Sequence, residues 1–173
     1  MAKSNVVEKE ETTNNVTGVF IKKIQMKDNR ALISLNDDND FRTHNGDFNV
    51  KDEVTEEFKT LWHNALEIVT SLTPQLGKEV SALRFNHIQF FYDKKGFLSD
   101  VSFSVIWTFD SQGHILNLNY QKFPIYKPEM AENVVAISGK HEELLHDILK
   151  AAKAYMNGDT RTKQMSLIVD NTK

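Results

Sequence analysis

The stretch HILNLNYQ, residues 114–121, alternates cleanly. In an extended chain successive side chains point to opposite faces. Leu116, Leu118 and Tyr120 therefore share one side, and Asn117, Asn119 and Gln121 the other. A strand that only has to face water usually mixes in Lys, Glu and Thr; this one offers carboxamides and no charge. Two earlier stretches repeat the chemistry, with His87, Gln89 and Phe91 in one and Ser102, Ser104, Ile106 and Thr108 in the other. Amide and hydroxyl groups read sugar hydroxyls and base edges without the desolvation cost of a buried charge, and Phe91 offers a ring for stacking. The candidate ligand-binding set is His87, Gln89, Phe91, Ser104, Thr108, Asn117 and Asn119. Two readings of this face stay open. It is a ligand surface, or it is a solvated face, left bare or covered by the segment 41–50 or a second subunit.

Other chemistry is sparse. Of the six histidines, none is spaced i, i+4 as a helical metal pair requires. His141 and His146 fall on different sides of their helix, and His63 sits beside Trp62 in an amphipathic helix, where it reads as a boundary residue of the apolar face rather than a ligand. His87 and His114 would meet only if strand register allowed it, and a general base there would still need a carboxylate that the polar face does not supply. The run Asp37, Asp38, Asp40 lacks the glycine and closing glutamate of a calcium loop and reads as a solvated turn. No nucleophile elbow, phosphate-binding loop or dinucleotide fingerprint occurs. The chain has no cysteine, which excludes disulfides, thiol catalysis and cysteine zinc sites. No cofactor or metal is expected, and the reading is a non-enzymatic protein.

A net charge of -3 argues against tight sequence-independent binding to nucleic acid. Basic residues gather only at Lys22-Lys23 with Lys27 and Arg30, and at Lys94-Lys95, where a turn tip puts them to use for solubility and edge protection. No apolar run reaches membrane-spanning length, and MAKSNVVEKEETTNN lacks the apolar centre of a signal peptide. The expected place is the cytoplasm.

The elements that must position the polar face follow from period and punctuation. Residues 1–15 read as a disordered tail, 16–168 as one α+β domain and 169–173 as a flexible end. The alternation Val19, Ile21 shifts phase to Ile24, Met26, turns at Lys27-Asp28-Asn29 and resumes at Ala31, Ile33 and Leu35, which predicts a hairpin. Asn45-Gly46 signals a second hairpin flanked by 41–44 and 47–50. Asp52 is the expected N-cap of a helix with the stripe Val54, Phe58, Leu61, Trp62, Ala65, Ile68, Val69 and Leu72, ending at Thr73-Pro74. A three-stranded meander follows over 83–92, 97–109 and 114–123. Its second side, Ile88, Phe90 and Tyr92, then Phe103, Val105, Trp107 and Phe109, then Leu116, Leu118 and Tyr120, is apolar. A last helix carries Leu144, Leu145, Ile148, Leu149, Ala152, Tyr155 and Met156, with Asn157-Gly158 to end it. The predicted fold is an antiparallel β-sheet, hairpin plus three-stranded meander, with two amphipathic helices packed on one face. The apolar run Met165–Val169 is expected to pack back, add an edge strand or meet a partner.

The stretch AAKAYMNGDTRTKQMSL, with Tyr155, Gly158, Arg161, Gln164 and Leu167, resembles the end of a class of small uncharacterised accessory proteins of phages and prophages. In that class a hairpin, a helix, a meander and a final helix follow one another, and the likeness covers roughly residues 16–168. Where such proteins carry Asn-Thr-Pro after the last strand, Asn119 is followed here by YQKFP. The resemblance implies a phage accessory protein in the cytoplasm of a bacterial host, and nothing catalytic. The expected function is counter-defence, sequestering a small nucleotide-like signal or blocking a host defence protein, with a homo-oligomer as a further expectation. The alternative is an accessory of phage DNA replication or recombination that binds single strands or a recombinase.

Overall fold

The structure is a computed structural model and describes residues 19–37, 46–49, 51–74, 82–108 and 113–160. Strands β1 (Val19–Lys27) and β2 (Arg30–Asp37) form the first hairpin. Its turn residues Asp28 and Asn29 have φ of 50° and 61°, the left-handed pair that a two-residue loop between twisted strands needs. The predicted phase shift is real: a bulge lies between Ile21 and Lys23, so Ile21 and Ile24 both point into the core. β3 (Gly46–Asn49) pairs antiparallel with β2, Gly46 opposite Leu35. Gly46 is thus in a strand rather than a turn, and β3 extends the sheet at its edge instead of covering its face. The expected limb 41–44 lies outside the described residues.

Helices α1 (Glu56–Asn64) and α2 (Leu66–Leu72) occupy the predicted helical stripe, divided at Ala65. There the Ile68 N–H donates to the Ala65 carbonyl, a tighter turn than the α-helix makes. The N-cap is Thr55, not Asp52: the Thr55 hydroxyl accepts from the Phe58 N–H at 3.2 Å. Asp52 is used through its carbonyl, which accepts from the Tyr155 hydroxyl at 2.7 Å and ties the last helix to the start of the first. Thr55→Ala should cost about 1 kcal/mol of unfolding free energy, read as a lowered urea midpoint with an unchanged slope; Thr55→Ser should restore it.

The meander is β4 (Leu83–Tyr92), β5 (Leu98–Thr108) and β6 (Ile115–Asn119). The strand order is β3-β2-β1-β4-β5-β6, every pairing antiparallel. The third meander strand is shorter than expected. After Asn119 the chain leaves the ladder, then returns to the same edge of β5 as the two-residue β7 (Phe123–Pro124), opposite Asp100 and Val101. Helix α3 (Lys140–Met156) follows and ends at Asn157, with Gly158 at φ 89° where a side chain would be strained.

All three helices lie on one face of the sheet. Phe58, Trp62, Ile68, Leu145, Ile148 and Tyr155 join Ile24, Ile33, Ile88, Phe103 and Val105 in a single core. Trp62 meets Phe85 edge-on at 5.4 Å, and Phe58 meets Tyr155 at 6.3 Å. The helical cover stops short of β6. Leu116 was expected in the core; by register it does lie on the core side, opposite Trp107, yet it is 45 % exposed. Phe109, the N-terminal tail, the acidic residues 38–40 and the stretch 161–173, with Arg161, Gln164, Leu167 and Met165–Val169, lie outside the described residues.

Candidate functional site

Register decides which polar side chains converge. His87 pairs with Ser104 and Ser104 with Asn119, placing three of the expected residues in one row across β4, β5 and β6. Gln89 sits opposite Ser102 on one side and Lys23 on the other, forming the next row. Asn117 is opposite Ile106, and Thr108 opposite Ile115. Phe91 is opposite Asp100. Thr108 and Asp100 are eight residues apart on β5, about 26 Å at the rise of a strand. The face therefore brings His87, Gln89, Ser104, Asn117 and Asn119 together, with Phe91 at one end and Thr108 at the other, too far apart for one small molecule to touch both.

The central row contains two residues that alternation alone does not find. A second bulge, between Phe85 and His87, turns Asn86 outward beside His87. The Gln25 amide donates to the Asn86 carbonyl oxygen at 3.2 Å, the Asn86 amide to the Ser104 hydroxyl at 3.4 Å, and the Ser104 hydroxyl to the Asn119 carbonyl oxygen at 2.8 Å. Four strands are thus stitched by one chain of neutral hydrogen bonds running in one direction. Ser104 is only 3 % exposed and both gives and takes a bond, so its hydroxyl holds the row together. Asn117 and Asn119 are exposed, and the Asn119 amide N–H groups have no partner among the described residues. The lack of charge in the row has a physical reason. Carboxamides and hydroxyls can donate and accept at once, so neighbouring strands can be linked without burying an ion.

Burial, with the Lys23 ammonium as the second cause, holds the His87 imidazole below its ordinary value of 6.5. The folded protein thus resists a proton that the unfolded chain accepts. Stability from this group is present above pH about 6.5 and is lost as pH falls below it. Between about pH 7.5 and about pH 5.5 the urea midpoint of the native protein should fall more than that of His87→Gln. An equal fall would show that His87 titrates as in the unfolded chain.

The Phe91 end is different in kind. β1 and β4 pair through only Lys23 opposite Gln89 and Ile24 opposite Ile88. On one side of that short junction the Gln25–Asn86 bond carries on the seam. On the other the strands part, held by the Tyr92 hydroxyl donating to the Ile21 carbonyl at 3.0 Å. A hollow of about 290 Å³ lies there, its lining including Lys22, Phe91, Tyr92, Ser99, Asp100 and Lys122. A third bulge, which leaves Ser99 unpaired between Leu98 and Asp100, brings Ser99 into it. The Ser99 hydroxyl reaches both the Phe91 carbonyl at 3.2 Å and the Asp100 carboxylate at 2.7 Å, and its single proton serves one of them at a time. The Lys122 ammonium stands 3.8 Å from the centre of the Phe91 ring, a contact worth about 0.5–1 kcal/mol at an open site and so easily exchanged. Two lysines against one carboxylate leave the hollow net positive. Sequence reasoning missed Lys122, because it sits in the three-residue excursion between β6 and β7. It set Lys22 with a basic cluster on the first hairpin, whereas the bulge places it at the lining of this hollow.

Histidine chemistry is not assembled. His114 lies beyond Ile115, about 16 Å along the sheet from the row of His87. His146 faces Glu142 on α3 at 3.9 Å. Among the described residues no three His, Cys, Asp or Glu side chains gather as a metal site would require. No helix there is long and apolar enough to cross a membrane. The fold and the face define an α+β protein with an open, neutral, hydrogen-bonded sheet surface flanked by a basic aromatic hollow. The chain matches no family model, no curated protein and no solved structure.

Proposed function

We propose that the open sheet face is a binding surface for a small anionic molecule with a planar ring, of the nucleotide class, and that the protein acts by holding it rather than by transforming it. The observation that carries this reading is the hollow at the parting of β1 and β4, where Lys122 stands over the Phe91 ring and Lys22 joins them in the lining. A ring stacked on Phe91 takes the place of Lys122, whose ammonium is then free to meet a phosphate. The half-buried amide of Gln89 and the exposed amide of Asn119 lie along the face toward the next rows and suit the hydroxyl and base-edge groups of the rest of the molecule. The wider role, counter-defence by sequestration or by blocking a host protein, comes from the resemblance of the stretch 151–167 and not from this face.

Titration calorimetry with adenosine monophosphate, adenosine and inorganic phosphate separates ring from charge. The expected result is binding of the monophosphate that exceeds both fragments and weakens with added salt. Binding of none of the three would sink the reading. The same ring and lysines also favour a second one, single-stranded nucleic acid, since sequence-tolerant binding uses stacking rings beside basic groups. A short oligothymidylate that binds far more tightly than the monophosphate, with a steep salt dependence, would select it.

A further inference from the structure

We propose that a second copy of this chain pairs with β6, edge to edge and antiparallel, about a two-fold axis at Asn117. The argument begins with the hydrogen-bond alternation of an antiparallel ladder. The Tyr120 N–H donates to the Phe103 carbonyl at 2.9 Å, so Phe103 and Tyr120 are a bonded pair. Counting by two along the register, Val105 with Leu118 and Trp107 with Leu116 are the other bonded pairs. The backbone groups of Ile115, Asn117 and Asn119 therefore point away from β5. Among the described residues β6 has no neighbour on that side.

The strand suits its own copy. An exposed edge is normally blunted by lysine, proline, a bulge or a cover, and Ile115–Asn119 has no charge, no proline and no bulge. A two-fold at Asn117 sets Asn117 against Asn117 of the other copy and Ile115 against its Asn119, the pairs whose backbone groups face outward. Leu116 then meets Leu118 of the copy as a non-bonded pair, where side chains approach most closely. That pairing lies on the core side, at the place where the helical cover stops and Leu116 is left 45 % exposed. The two uncharged strands bring no like charges into contact. Of the large apolar side chains exposed among the described residues, two neighbours, Ile115 and Leu116, lie on this strand. The polar face would then run unbroken from one copy to the other, bringing the exposed Asn117 and Asn119 of both to its middle.

Sedimentation equilibrium of the full chain tests this directly, with amide exchange as a readout that needs no variant. The expected mass is twice the 19.9 kDa of one chain, and the Ile115, Asn117 and Asn119 amides should lose protection on dilution. Leu116→Lys puts a charge into the leucine pairing. Asn117→Pro removes an N–H that β5 does not use. Each should give a monomer with an unchanged circular dichroism spectrum. A native protein that sediments as a monomer at high concentration would overturn the proposal. So would a dimer that survives both variants, or one whose three edge amides exchange at the same rate at every dilution.

Discussion

Phe103→Ala is expected to cost about 3–5 kcal/mol of unfolding free energy, against a total of roughly 5–15 kcal/mol for a typical domain. The side chain is 1 % exposed in the middle of β5, opposite Ile88, with ring neighbours Phe85 at 5.9 Å and Phe123 at 6.2 Å. Truncation leaves a cavity bounded by strands on both sides, and a sheet paired on both edges cannot easily collapse into it. β7 depends on the same ring, since Phe123 is one of its two residues. Urea denaturation followed by circular dichroism measures the cost. Gln89→Ala, on the open face one residue from the core, should change the midpoint little. A loss below about 1 kcal/mol for Phe103→Ala would show that the sheet and helices are not packed as described.

The contrast between Phe103 and Gln89 is also the part of the fold that the sequence made plainest. From Ile88 on β4 and Phe103 on β5 the side chains alternate, and the face assignment there needs only the period of a strand. The helices were legible for the same reason, because Phe58, Trp62, Ala65 and Val69 recur at helical spacing. What a strict period of two does not yield is the three bulges. Each adds one residue and so places two consecutive side chains on one face. The shift from Ile21 to Ile24 betrayed the first, because two large apolar residues three apart cannot both face the core of a regular strand. Phe85 and Ile88 bracket the second bulge at the same spacing, and Leu98 and Val101 the third, a sign that faces counted from Ile88 and Phe103 onward do not use. The end of the helical cover before β6 was hidden. Leu116 and Leu118 have the pattern of core residues, and only the positions of the helices show that Leu116 is left exposed.

The second large effect concerns binding. Phe91→Ala should weaken adenosine monophosphate by roughly fivefold or more, since a stacked ring contributes about 1–3 kcal/mol. Lys122→Gln should weaken it as well and flatten its salt dependence, because one fewer cation meets the phosphate. Neither change should disturb the fold. Phe91 is half-buried and faces away from the core, and Lys122 is exposed in the excursion between β6 and β7. The two substitutions share one contact, the ammonium 3.8 Å from the ring, so their effects should not add; the double variant should lose less than the sum. Calorimetry on the four proteins gives the comparison. Unchanged affinity in Phe91→Ala would remove the ring from the site.

Charge bookkeeping explains why such a hollow can exist in a protein of net charge -3. Long-range attraction to a polyanion is weak, but Lys22 and Lys122 outnumber Asp100 locally, and local fields govern a small ligand within a Debye length of about 10 Å at moderate salt. The surface is thus better suited to a compact anion than to a long one.

The measurement that bears most directly on the open face as the functional surface is a two-dimensional amide NMR titration of the full chain with adenosine monophosphate. The account predicts shifts concentrated at Lys22, Phe91, Ser99, Asp100 and Lys122, fading through Gln89 toward the row of His87 and Asn119, with the amides of α1 and α3 unmoved. Shifts confined to the helical side or to the connection between β7 and α3, or none at saturating ligand, would contradict it.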